Sequence, residues 1–245
     1  MRVTAATPSR RPGSAPGAPG AARPAAEGCG SGGPESAGPG SGALEFSGLG
    51  SDRLVPLELA SAAASFPGMI DTLRVLQNRI TGSVPTEELA AEVSRTLTGL
   101  AMRLGAHAVD EQAQIAGRMD LPGRAQAMVP VIYLDEQDEQ HAAGRVTFGR
   151  FYLGGNGAVH GGAIPLVFDD VMGRLANTGG RPRSRTAYLH VSYRSITPID
   201  RELQLIARFD REDGRKRFLS AELRDRGTLC AEAEGLFVAL RPGRP

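Results

Sequence analysis

A chain of 245 residues with 28 Lys and Arg against 27 Asp and Glu carries a formal net charge of +1, too little to create a global field that draws in nucleic acid or an acidic membrane surface. No apolar stretch approaches the ~20 residues a bilayer span requires, and no apolar core follows the basic start as a secretory signal would need. Cys29 and Cys230 are the only cysteines and make no disulfide framework, so composition predicts a soluble, cytoplasmic protein with one ordinary domain and an appendage.

Residues 1–50 are a tract of Gly, Ala, Pro and Ser with Phe46 as the sole aromatic. Such a stretch cannot bury enough apolar area to offset its conformational entropy and is expected to stay disordered. Its early arginines raise a transit-peptide reading, but proline and glycine this dense would spoil the amphipathic helix that such a peptide needs.

Residues 51–120 read as a helical extension. Met69, Ile70, Leu73, Leu76 and Ile80 fall at helix spacing, and Thr86 with Glu87 and Glu88 behind Pro85 marks a second helix start. That helix carries Leu89, Val93, Leu97, Leu100 and Leu104 on one side, a face to be packed on the main domain or on a partner chain. His107 stands in an Ala-rich stretch and reads as structural or exposed.

Residues 121–242 change character. "AMVPVIYLD", "GRVTFGRFYL", "TAYLHVSYRSI", "ELQLIARFD", "RKRFLSAELRD" and "TLCAEAEGLFVAL" are short, often alternating apolar runs. Leu203, Leu205, Ala207 and Phe209 share one face while Gln204 and Arg208 point the other way. "REDGRK" and "DRGT" supply hairpin turns. Strands with one strong helix between the second and third predict an α+β domain, an antiparallel sheet packed around that helix.

The helix lies in "GGNGAVHGGAIPLVFDD". Ile164, Val167, Phe168, Val171, Met172 and Leu175 form one apolar stripe, Pro165 belongs in a first turn starting near Gly162, and "NTGG" supplies the stop. The amides of Gly161, Gly162 and Ala163 are then unpaired donors at the positive end of a helix dipole, a mouth that suits an anion or a carbonyl oxygen becoming one. Asp169 and Asp170 lie roughly 130° from the stripe centre on opposite sides at 100° per residue. Periodicity does not choose between them, and both could be solvated or ion-paired.

"VHGGAIPLVFDD" resembles the His-Gly-Gly signature of hotdog-fold acyl-CoA thioesterases, particularly the phenylacetate-pathway (PaaI-like) type. The resemblance covers roughly residues 124–240 and extends to the strand order and to "YLHVSYRSITPIDREL". It implies a hotdog fold, an antiparallel sheet wrapped around one central helix, and a catalytic carboxylate nine residues after the histidine, which is Asp169. It implies an acyl-CoA substrate, sites at the interface of a homodimer or dimer of dimers, and no cofactor. Relatives often carry an asparagine six residues before the histidine, whereas Asn156 sits four before His160. Thr186 falls where some relatives place an active-site serine.

Nine residues of helix span about 13 Å, so one thioester carbon cannot touch His160 and Asp169 of the same chain. Two helices brought antiparallel by a twofold axis would join them. In the expected reaction Gly161 N–H polarises the thioester carbonyl with His160 as a second donor or orienting group, while Asp169 activates water or attacks directly. Gly162, Asn156, Thr186, Arg183 and Arg185 are candidate substrate contacts, the arginines of "GGRPRSRTAY" for CoA phosphates. "GRKRF" is equally basic, and Tyr193 reads as a packing residue. Scattered histidines and distant cysteines lack metal-ligand spacing, and there is no Gly-x-Ser-x-Gly elbow. Two other functions fit the same fold: an acyl-thioester hydratase or dehydratase, for which no second acid–base group is placed, and a non-catalytic acyl-CoA-binding or scaffolding protein.

Overall fold

The computed structural model describes residues 57–241 and 243; the tract expected to be disordered, and Cys29 with it, lies outside the described residues. Helix α1 runs Leu57–Thr81 and α2 runs Glu87–Gly105. The second starts where its sequence predicts: Thr86 Oγ1 accepts the Leu89 amide at 3.3 Å, and Glu87 and Glu88 sit in the first turn against the positive dipole end.

The strands that follow are β1 (Ile132–Gln137), β2 (His141–Thr147), β3 (Leu153–Gly155) and β4 (Ala158–Val159). Helix α3 spans Ala163–Ala176, and β5 (Ser184–Tyr193), β6 (Glu202–Asp213), β7 (Lys216–Asp225) and β8 (Thr228–Ala239) complete the chain. Six of the strands form one antiparallel sheet in the order β1-β2-β6-β7-β8-β5, and β3 pairs with β4 alone. The six apolar runs are therefore the six strands of the main sheet. The β7–β8 connection is a two-residue turn in which Arg226 (φ 49°) and Gly227 (φ 84°) both take positive φ, the mirror-image turn whose twist matches a hairpin.

One segment departs from expectation. "GRFYL" does not extend β2 but folds into a short 3-10 turn at Arg150–Tyr152. The reason lies on α1, where Asn78 Oδ1 accepts the Phe151 amide at 2.9 Å and so takes a donor that a strand would have used.

Eight of the fourteen residues of α3 are buried, among them every member of the predicted stripe. The stripe lies on the sheet over Leu203, Leu205, Ala207, Leu219 and Leu223, the inward positions of β6 and β7. Each such large apolar side chain contributes roughly 1.5–3 kcal/mol on burial. The helix comes very close to β8: a Cβ on Gly235 would stand 2.9 Å from Phe237 Cε2 and 3.2 Å from Met172 Cε.

Candidate active site

Strand β5 is an outer strand of the sheet, and its pairing with β8 slips between Thr186 and Tyr188. The extra residue, Ala187, reverses the alternation of side chains along the strand. Before the bulge the even-numbered Thr186 turns to α3; after it the odd-numbered Leu189, Val191 and Tyr193 do, with Leu189 and Val191 packed on the core. Two side chains of one strand thereby reach two points along the same helix.

At the first point Thr186 Oγ1 donates to Asp169 Oδ1 at 2.7 Å. Asp169 is exposed, and none of the ion pairs among the described residues involves it. Asp170 is different. Its side chain is only 10% exposed, Arg174 NH2 lies 2.6 Å away and Arg124 NH1 3.6 Å away. The geometry therefore separates two neighbours that periodicity left equivalent: Asp170 is neutralised between two guanidinium groups, and Asp169 keeps an accessible carboxylate oriented by one hydroxyl.

Asp169 and Thr186 open onto a cavity of about 1130 Å³ that Arg183 and Arg185 also line. Ile132 and Phe237, both essentially inaccessible, form part of its floor. His160, Gly161, Gly162 and Asn156 are not among its walls.

His160, Gly161 and Gly162 gather at the other point, the start of α3. The expectation of three free amides there is corrected. Gly162 N–H donates to His160 Nδ1 at 3.0 Å and Ala163 N–H donates to His160 O at 2.8 Å, leaving Gly161 N–H as the one amide of the three without an acceptor among the described residues. An Nδ1 that accepts carries no proton, so the ring N–H of His160 is at Nε2. Tyr193, read from sequence as a packing residue, is instead 54% exposed and its hydroxyl donates to Gly161 O at 2.7 Å. Nothing in the sequence flags it, because the bulge that turns it toward the helix has no local signature.

Asn156 and Gly157 are the two central residues of the β3–β4 turn, with φ of 51° and 74°. The Asn-Gly turn chemistry accounts for Asn156. Of the basic residues, Arg181 is structural: its guanidinium lies 4.2 Å from the Phe209 ring centroid, and NH1 donates to Glu139 O and Thr178 O at 2.9 and 3.1 Å. Arg217 of "GRKRF" is 1% exposed and donates to Ala176 O at 2.8 Å and Pro182 O at 2.7 Å, tying the end of α3 to the loop that carries Arg183. Among the described residues no three of His, Cys, Asp and Glu converge as a metal site, and no helix is long and apolar enough to cross a membrane.

No family model matches the chain. Over 113 residues it is 32% identical to acyl-coenzyme A thioesterase THEM4 of Bos taurus, covering 45% of this chain and 46% of that protein. Over 91 residues it is 34% identical to the Mus musculus protein of the same name, covering 36% and 39%. The chain thus spans less than half the length of the curated relatives it matches. A crystal structure of a thioesterase superfamily protein superposes with a TM-score of 0.62 at 26% identity, covering 71% of this chain and 94% of that one. With an antiparallel six-stranded sheet packed on a single buried helix, and with similarity of this kind in both sequence and structure, the chain has the hotdog fold of thioesterase superfamily proteins.

Proposed function

We propose that the protein is an acyl-CoA thioesterase, hydrolysing an acyl-CoA to the free acid and CoA, with Asp169 as general base or nucleophile. The observation that carries this reading is the Thr186–Asp169 pair at 2.7 Å, opening onto the cavity beside Arg183 and Arg185. The hydroxyl holds one carboxylate oxygen and leaves the other to water or to the thioester carbon. The two acyl-coenzyme A thioesterases named above support the substrate class, and the spacing from His160 to Asp169 supports the phenylacetate-pathway type.

The polarising group belongs to the other end of the helix. Gly161 N–H has no acceptor among the described residues and lies just ahead of α3, where the dipole favours negative charge. His160 Nε2–H is a second donor at the same mouth, and Tyr193 anchors Gly161 through its carbonyl. Since about 10 Å of helix separates Gly162 from Asp169 at 1.5 Å per residue, the two halves act on one thioester only if a second copy supplies one of them. A twofold dimer that opposes two α3 helices meets that need. In it the Gly161 amide of one copy takes the carbonyl oxygen, the Asp169 of the other directs the nucleophile, and CoA thiolate leaves.

The test is release of free CoA thiol from a panel of short, long and aromatic acyl-CoAs. Asp169→Asn is expected to lower turnover by about 10²- to 10⁴-fold, the usual worth of a general base, and Asp170→Asn far less. Thr186→Val removes a hydrogen bond to a charged group, worth about 1.5–3 kcal/mol, and is expected to slow turnover by about ten- to a hundredfold. A wild-type protein that releases no thiol from any member of the panel would sink the proposal.

A further inference from the structure

The extension is not remote from the cavity. Residues of the segment 111–124 form much of one wall of the space that Asp169 opens onto, with Arg118, Met119, Leu121 and Arg124 among them. Sequence composition gives this segment no chemistry.

The wall is held in a fixed shape. Gly123, Arg124 and Ala125 take three successive left-handed conformations, with φ of 72°, 51° and 50°. Two of these are not glycine, and each such residue costs of order 1 kcal/mol or more, so the surroundings must impose the shape. They do so from three directions. From α1, Arg74 donates to Gly123 O and to Gln126 O, on either side of the turn. From across the segment, Gly117 N–H donates to Arg124 O at 2.8 Å. From α3, Asp170 faces Arg124 NH1. A segment clamped at its turn and stapled across its length has its side chains held in place along the cavity.

What those side chains offer depends on how the cavity is graded. Its charged rim, with Arg118, Arg183 and Arg185, is exposed, whereas Ile132 and Phe237 are buried beneath. A CoA diphosphate cannot be stripped of water without large cost, so it stays at the exposed rim. The apolar part of a substrate whose reacting carbon sits at Asp169 then runs inward. There it meets Met119 and Leu121, both half-buried, in a lining they share with Leu134 and Leu240.

We infer that Met119 and Leu121, where the extension joins the sheet domain, are specificity-determining residues that contact the acyl tail and set how long a tail the site accepts. This rests on the acyl-CoA reading above. The end of the extension is then part of the site, with the turn that follows it held to α1 by Arg74 and to α3 by Arg124.

Binding of non-hydrolysable S-alkyl-CoA thioethers with four, eight and sixteen carbons, and of CoA alone, tests this by calorimetry on the full chain. Met119→Trp is expected to weaken the sixteen-carbon analogue by about tenfold or more, the effect of roughly 1.4 kcal/mol. It should leave CoA and the four-carbon analogue within about twofold. Leu121→Ala, which cannot clash, is expected to weaken only the longer analogues, by several-fold. Both positions are partly accessible, and unchanged thermal unfolding verifies that the fold survives. Equal losses for every ligand, CoA included, or no loss for any, overturn the inference while leaving the thioesterase reading intact. A wild type that binds no analogue and releases no thiol overturns both.

Discussion

Helices α3 and α2 look alike as sequences and differ completely as structures. Each carries an apolar stripe of five or six residues. Yet α3 has eight buried residues, and α2, at 19 residues the longer, has none among those described. Leu89, Leu100, Met102 and Leu104 of α2 all remain exposed. The difference teaches that hydrophobic periodicity establishes that a face exists and leaves open what covers it. For α3 the cover is the sheet. Stability should therefore be concentrated around α3, and substitutions that look equivalent in the two helices should have very different consequences.

The largest contrast is expected between Phe168→Ala and Leu100→Ala. Phe168 is fully buried between α3 and the sheet, and truncating such a residue costs about 3–5 kcal/mol through lost transfer energy and the cavity left behind. Leu100 is 45% exposed, and a surface change of this kind stays within about 0.5 kcal/mol. Urea unfolding of both variants measures the pair. Comparable losses at the two positions would mean that the α2 face is covered in solution by the surface of another molecule, and the contrast between the helices would collapse.

Adding one methyl group probes the same contrast more finely. At Gly235 a Cβ would sit 2.9 Å from the ring of Phe237, which is itself buried, and 3.2 Å from Met172 on α3. The methionine end can turn aside; the ring cannot. Gly235→Ala is expected to destabilise by about 1–3 kcal/mol, as overpacking does, read as a lower urea midpoint at unchanged slope. An unaffected midpoint would show that the helix does not approach β8 as closely as the geometry requires.

What was legible in the sequence follows the range of the interaction responsible. Local signals sufficed for the Thr86 cap, the α3 stripe, the Asn177 stop and the alternation in β6. The succession of strands and helix and the hotdog fold were reachable through the resemblance carried by the His-Gly-Gly stretch, whereas the order of strands across the sheet was not. The identity of the accessible carboxylate was reachable only through family resemblance, since Asp169 and Asp170 are told apart by Thr186 from β5 and by Arg124 from a left-handed turn far upstream. Tyr193 was misread because strand alternation carries through a run only while the register is unbroken, and Ala187 breaks it. The three amides at the helix mouth looked equivalent because backbone counting cannot see that His160 turns back to occupy two of them. The role of segment 111–124 was illegible for the same reason: what it lines is set by contacts with α1 and α3, not by its own composition.

The smallest expected effect has the opposite sign, which makes it the sharpest test of α2. Gly99 lies mid-helix, and a Cβ there would meet nothing within 4 Å. With no clash to set against it, Gly99→Ala should gain the helix propensity of alanine, about 0.5–1 kcal/mol. Because α2 buries nothing, it is expected to open on its own, below the free energy of global unfolding. The gain would then appear as slower hydrogen exchange at α2 amides, with α3 amides unmoved. If the substitution instead raises the global urea midpoint, α2 unfolds together with the body, and the packing that couples them lies on the face of leucines now seen exposed. If it destabilises, the space around Gly99 is filled in solution, and the helix is held against a surface as closely as α3 is held against Gly235.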